Sequence, residues 1–177
     1  MEIMNNEPDK IKEAFQRCAK ALSLRPALGL GSGVSTTTVS HGLTCKTQEG
    51  QWKFVVDMPE QAGGNSLGPT PGILGRAALG SCLAIGYMMR AATMNVLIKS
   101  LAVEVQADYD DGALFGVAQS PPGYLEVRYA VTVESDATED EITKVLDEAD
   151  AHSPYLDVFS RAQNCKRTVH ILSAKSQ

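Results

Sequence analysis

The chain has 177 residues, 44% of them hydrophobic and 6% aromatic, with a formal net charge of −5. That length suits one domain with a sizeable core. The acidic balance and few aromatics argue against a nucleic-acid-binding protein, which would show a basic patch and stacking platforms.

The start, Met1-Glu2-Ile3-Met4-Asn5-Asn6-Glu7, is acidic and polar and does not read as a secretory signal. From about Glu7 to Leu24 the spacing of Ile11, Phe15, Cys18, Ala19 and Leu22 predicts an amphipathic helix, with Cys18 as a small buried hydrophobe. Pro8 and Pro26 mark its ends. Gly29-Leu30-Gly31-Ser32-Gly33 imitates a phosphate loop, but no buried strand precedes it and no helix follows, so it is read as a connector. Three short strands are expected near 34–41, 42–48 and 51–57, with a hairpin turn at Glu49-Gly50. His41, alone at a strand end, is read as a surface residue. Residues 58–70 form a loop long enough to suggest a site or an interface.

A long helix follows, Pro71 to about Ala92, apolar in almost every direction around its wheel. Such a helix belongs inside a domain. Arg76, Arg90 and four glycines make it a poor membrane span. Small residues, Gly75, Ala77, Ala78, Gly80, Ser81 and Ala84, surround one thiol, Cys82. Beyond it, strands are expected near 96–108 and 124–134. A helix then opens on a capping box, Thr138 with Glu141 or Asp136 with Glu139, and buries Ile142, Val145, Leu146 and Ala149. A short helix at 155–159 and a last strand at 167–172 complete the chain. The order predicts an α+β fold, with antiparallel sheets around a long buried central helix.

The four cysteines, at 18, 45, 82 and 165, form no CxxC and no Cys/His zinc spacing. The expectation is a cytoplasmic protein with reduced thiols, no metal and no cofactor.

Gly68-Pro69-Thr70-Pro71, followed by Leu74 and Ala77-Ala78-Leu79-Gly80-Ser81-Cys82-Leu83-Ala84, resembles the start of the central helix in the OsmC family of osmotically induced and organic hydroperoxide resistance proteins. Val131-Thr132-Val133-Glu134-Ser135-Asp136-Ala137 leading into Glu141-Ile142, and a small-residue-Pro element after that helix, are similar as well. The resemblance covers roughly 34–173, leaving 1–33 as a helical extension with a glycine-rich connector and 34–177 as the OsmC-like domain. It implies an intertwined homodimer and a thiol-dependent reduction of hydroperoxides, while the charges and glycines of the central helix argue against a membrane partner. In active members a thiolate on the central helix attacks the O–O bond, a second cysteine closes a disulfide on the sulfenic acid, and an external dithiol resets the enzyme. Cys82 matches the first cysteine.

Two positions depart from the active pattern. The second cysteine, which precedes a proline after the next long helix, is replaced by Ser153 before Pro154. The glutamate that follows the helix's first proline in the hydroperoxide branch is replaced by Gly72. Cys165 is the candidate substitute thiol. A free thiol is only a few per cent thiolate near neutral pH, so fast chemistry needs a cation nearby. Arg76 and Arg90 share one face of the helix while Cys82 is turned away from it, which leaves Arg25, or an arginine of another subunit, as the candidate thiolate stabiliser. The alternative is a non-catalytic dimer that binds a small hydrophobic ligand. A Ser–His hydrolase built on His152 and Ser153 is disfavoured, because adjacent residues rarely reach catalytic geometry and no G-x-S-x-G elbow exists.

Overall fold

A computed structural model describes residues 7–172; the polar start at 1–6 and the last residues, 173–177, lie outside them. The chain runs α1 (Glu7–Leu24), a 3-10 turn (Pro26–Gly29), β1 (Thr36–Val39), β2 (Cys45–Glu49), β3 (Trp52–Val56), α2 (Pro71–Met94), β4 (Ile98–Asp108), α3 (Asp111–Leu114), β5 (Glu126–Ser135), α4 (Glu139–Asp150) and α5 (Pro154–Ser160). The strands form two antiparallel sheets, β1-β2-β3 and β4-β5.

β4 and β5 pair over most of their length, with Leu101 opposite Val133, Val103 opposite Val131 and Val105 opposite Tyr129. Alternation puts these apolar residues on one face and charged ones on the other. That face carries α2, whose Leu79, Leu83 and Tyr87 are buried against it together with Ala149, Leu146, Leu156 and Phe159 of α4 and α5. A second cluster, Ala91, Ile98 and Val145, continues the core along the same interface. α4 starts where its sequence says it should: Thr138 Oγ1 accepts from the Glu141 N–H while the Glu141 carboxylate accepts from the Thr138 N–H.

α2 begins with Thr70 as N-cap and Pro71 in the first turn, and it stops at Asn95 in the left-handed region, φ +58°. It is long and apolar enough by composition to cross a membrane. Its packing on β4, α4, α5 and α1 makes it the core helix instead. Coverage is confined to one side. Ile73, Ala77, Ser81, Ile85 and Met89, spaced by four, are exposed along the other.

The β1-β2-β3 sheet stands apart from this core. Its β2–β3 turn is two residues long and opens with Gly50 at φ +54°. The loop after β3 is tied down by the buried Asp57. Burial pushes that carboxyl up, but the Met58 N–H, the Thr44 hydroxyl and the Leu67 and Asn65 N–H groups outweigh it and hold it below the usual carboxylate range. The loop lies so close to β3 that a Cβ at Gly68 would stand 2.3 Å from the Val55 carbonyl oxygen.

Two sequence expectations fail. Cys18 is exposed, because α1 meets α2 only through its first half: Ile11, Lys12, Ala14 and Phe15 are half-buried and everything from Gln16 on is exposed. No strand forms at 167–172. Residues 162–172 have no regular structure and are exposed, and no strand edge among the described residues pairs with them.

Candidate active site

Cys82 lies midway along α2, half-buried, one residue before the core-facing Leu83. Its Sγ is 3.6 Å from the hydroxyl of Ser153, a contact spanning 71 residues of sequence. Ser153 is buried and serves as N-cap of α5. Its Oγ accepts from the Leu156 N–H at 3.3 Å and its own N–H donates to the Asp150 carbonyl at 3.2 Å. With one lone pair engaged by Leu156, the hydroxyl proton is free to point at the Cys82 sulfur.

An open groove of about 500 Å³ starts one turn away, with Glu126 and Ser160 among its lining. Leu79 and Leu156, three residues from Cys82 and Ser153 respectively, line it with Tyr124, Val127, Tyr129 and Phe159. Tyr124 and Phe159 stack at its wall, with ring centroids 6.1 Å apart. The Tyr124 hydroxyl donates to the Gly72 carbonyl at 2.9 Å. A Cβ at Gly72 would stand 3.5 Å from Arg76 Nη1, so the place lacking a glutamate has a guanidinium beside it. Among the described residues Arg76 forms no ion pair.

No other sequence candidate is hydrogen-bonded to Cys82 among the described residues. Cys165 is a free, exposed thiol in the irregular segment after α5 and has no hydrogen bond to Cys82. Arg25 is exposed, precedes the 3-10 turn, and likewise makes no hydrogen bond to Cys82. Arg90 is taken up by Glu148, at 3.5 Å, and by the face of Phe15, at 5.0 Å. The His152 ring turns to the Glu148 carbonyl, 2.9 Å away, rather than to Ser153. Among the described residues no group of His, Cys, Asp and Glu is gathered as a metal site.

Sequence reading missed the groups that brace this site. Asp150, the last residue of α4, accepts from Tyr87 of α2 at 2.7 Å and from Tyr129 of β5 at 2.8 Å. Burial, followed by the bond to Asp150, pushes the Tyr129 phenol up to about 12 and Tyr87 higher still, so both remain protonated donors. A signal was there: Tyr87 continues the Leu79–Leu83 stripe and Tyr129 alternates with Val127 and Val131, and a phenol in a buried register needs a partner.

No curated protein sequence matches this chain. Its fold is similar to solved structures. An OsmC-like protein from Mycoplasma pneumoniae superposes with a TM-score of 0.62 at 16% identity, covering 73% of this chain and 88% of that one. An organic hydroperoxide resistance protein OsmC from Legionella pneumophila gives 0.53 at 14%, covering 73% and 90%. An organic hydroperoxide resistance protein from Elizabethkingia anophelis gives 0.53 at 17%, covering 73% and 88%. At such identities the likeness speaks for the fold. The family model for OsmC-like proteins matches residues 63–167, which includes α2, both strands of the long hairpin, α4 and α5, and with more than half of its length so matched the chain belongs to the OsmC family.

Proposed function

We propose that this protein is a soluble, cytoplasmic, thiol-dependent hydroperoxide reductase acting through Cys82, with Ser153 in the place of the usual resolving cysteine. The contact of Cys82 Sγ with Ser153 Oγ at 3.6 Å carries the reading. It puts the small residue before Pro154 against the central-helix thiol, where a second thiol would close a disulfide. The Cys82 thiolate attacks the distal oxygen of a hydroperoxide. The O–O bond breaks, the alkoxide leaves and takes a proton as the alcohol, and Cys82 becomes a sulfenic acid. Serine cannot condense with it. An external thiol reductant attacks the sulfenic sulfur, expelling water, and a second thiol equivalent releases Cys82 and carries away the disulfide. Cys165 is the alternative internal thiol, and it would have to travel with its exposed segment.

A homodimer belongs to this proposal. The chain exposes 14002 Å², whereas a compact monomer of 18.9 kDa exposes about 8,300 Å². Exposed apolar side chains occur on the open side of α2, on the β1-β2-β3 sheet at Trp52 and Phe54, and after α5 at Val169, Ile171 and Leu172. An intertwined partner covers such surfaces, and a guanidinium for the thiolate, Arg25 being the candidate, would then arrive across the interface. Residues 1–33 form an extension in this reading, and 34–177 the domain proper.

The missing thiol at 153 and the aromatic-walled groove favour a second reading, a non-catalytic dimer binding a small hydrophobic ligand. Hydroperoxide consumption with a dithiol reductant decides between them. The natural protein is expected to exceed the background rate and Cys82→Ser to fall to it. Equal, background rates in both would leave the ligand-binding reading.

A further inference from the structure

The carboxylate of Asp150 sits badly by local rules. It ends α4, where the helix dipole disfavours negative charge, and it is drawn into the core side of the helix. Two phenols from two other elements meet it there, Tyr87 of α2, fully buried, and Tyr129 of β5. The same residue's carbonyl receives the Ser153 N–H, and the His152 N–H goes to the Ala149 carbonyl, which closes the turn between α4 and α5. α2, β5 and the α4–α5 turn are thus joined at one side chain. That side chain lies three residues before Ser153, and one of its donors lies five residues after Cys82.

We propose that Tyr87, Tyr129 and Asp150 are positioning residues that hold Ser153 against Cys82. The inference rests on the reading of Cys82 as the reactive thiol with Ser153 in the place of the resolving cysteine, and its test needs no peroxidase activity. Both phenols keep their protons at working pH, so the clamp is engaged permanently and acts as a brace, not as a switch. Arg90 pairs with Glu148, and the His152 ring turns to the Glu148 carbonyl, so neither is drawn to it. Apolar packing alone would let the turn shift along α2. Two hydrogen bonds to one carboxylate fix both its height on α2 and its distance from β5.

Proximity of residue 153 to Cys82 is measured directly by cross-linking. In the full chain carrying Ser153→Cys, diamide takes two hydrogens from the two thiols as the disulfide forms, read as a loss of two mass units and mapped by peptide. Adding Asp150→Asn is expected to slow closure about tenfold, since displacement of reacting groups by about an ångström is costly to rate. Tyr129→Phe, which leaves the Tyr87 bond intact and so spares more of the fold, is expected to slow it by a smaller factor. Thr138→Ala, which loosens the far end of α4, controls for stability and should leave the rate unchanged. Unchanged closure in folded Asp150→Asn and Tyr129→Phe proteins overturns the proposal, as does equal slowing by Thr138→Ala. Failure of the peroxidase reading shows separately, in the hydroperoxide assay.

Discussion

Two faces of α2 carry nearly the same chemistry and meet different fates. Leu79, Leu83, Tyr87 and Ala91 repeat every four residues and are 0%, 1%, 0% and 2% exposed. Ile73, Ala77, Ser81, Ile85 and Met89 repeat at the same interval on the opposite side, and Ile85 is 61% exposed. Leu83 and Ile85 are two residues apart, about 200° around the helix. Hydropathy marks both faces as interior. Only topology tells them apart, because the β4–β5 hairpin with α4 and α5 can cover one side of a rod and no more. An apolar surface this regular, left open by its own chain, is where the proposed second copy would dock.

Truncating each face in turn should affect different properties. Leu83→Ala removes a fully buried side chain from the closed face, and stability is expected to fall by about 2–5 kcal/mol, read from urea unfolding. Ile85→Ala should act on assembly instead. Its expected effect is a dimer dissociation constant raised about tenfold, equivalent to about 1.4 kcal/mol, by sedimentation equilibrium, with the helical signal of the chain retained. A natural protein that sediments only as monomer at micromolar concentration would show that the open face of α2 is not a dimer interface.

Much of the closed half was legible in the sequence. Period two over Leu101, Val103 and Val105, and the spacing of Ile142, Val145, Leu146 and Ala149, each state a face, and both faces are buried or half-buried as read. The capping box at Thr138 was legible because both of its residues are local. What escaped was non-local. No periodicity announces that Asp150 collects phenols from α2 and β5, or that Asp57 gathers the backbone of its following loop. Val169, Ile171 and Leu172 have strand composition, yet a strand also needs a partner edge, and their sequence says nothing about which chain supplies it. The site was half legible. Cys82 and Ser153 were named by resemblance, and their contact is a tertiary fact; Arg25 was named by elimination and Cys165 by its place near the last strand, and neither is hydrogen-bonded to the thiol among the described residues.

The smallest expected effects belong to the element that closes the covered face. Thr138→Ala removes the N-cap of α4 and should cost about 1 kcal/mol, while leaving the dimer dissociation constant unchanged, because α4 lies on the closed side. The partner in the cap adds a pH signature. The Thr138 N–H, and then its hydroxyl, hold the Glu141 carboxyl below its ordinary 4.5. A carboxyl depressed in the folded state contributes stability that is fully present above the unfolded value and is lost as pH falls through the folded one. Glu141→Gln keeps an acceptor oxygen and removes the charge. The natural protein should therefore be the more stable of the two near neutrality, with the gap closing as pH falls below about 4.5. Urea midpoints of both proteins across that range supply the measurement. Parallel curves would mean that Glu141 contributes to the cap through geometry alone.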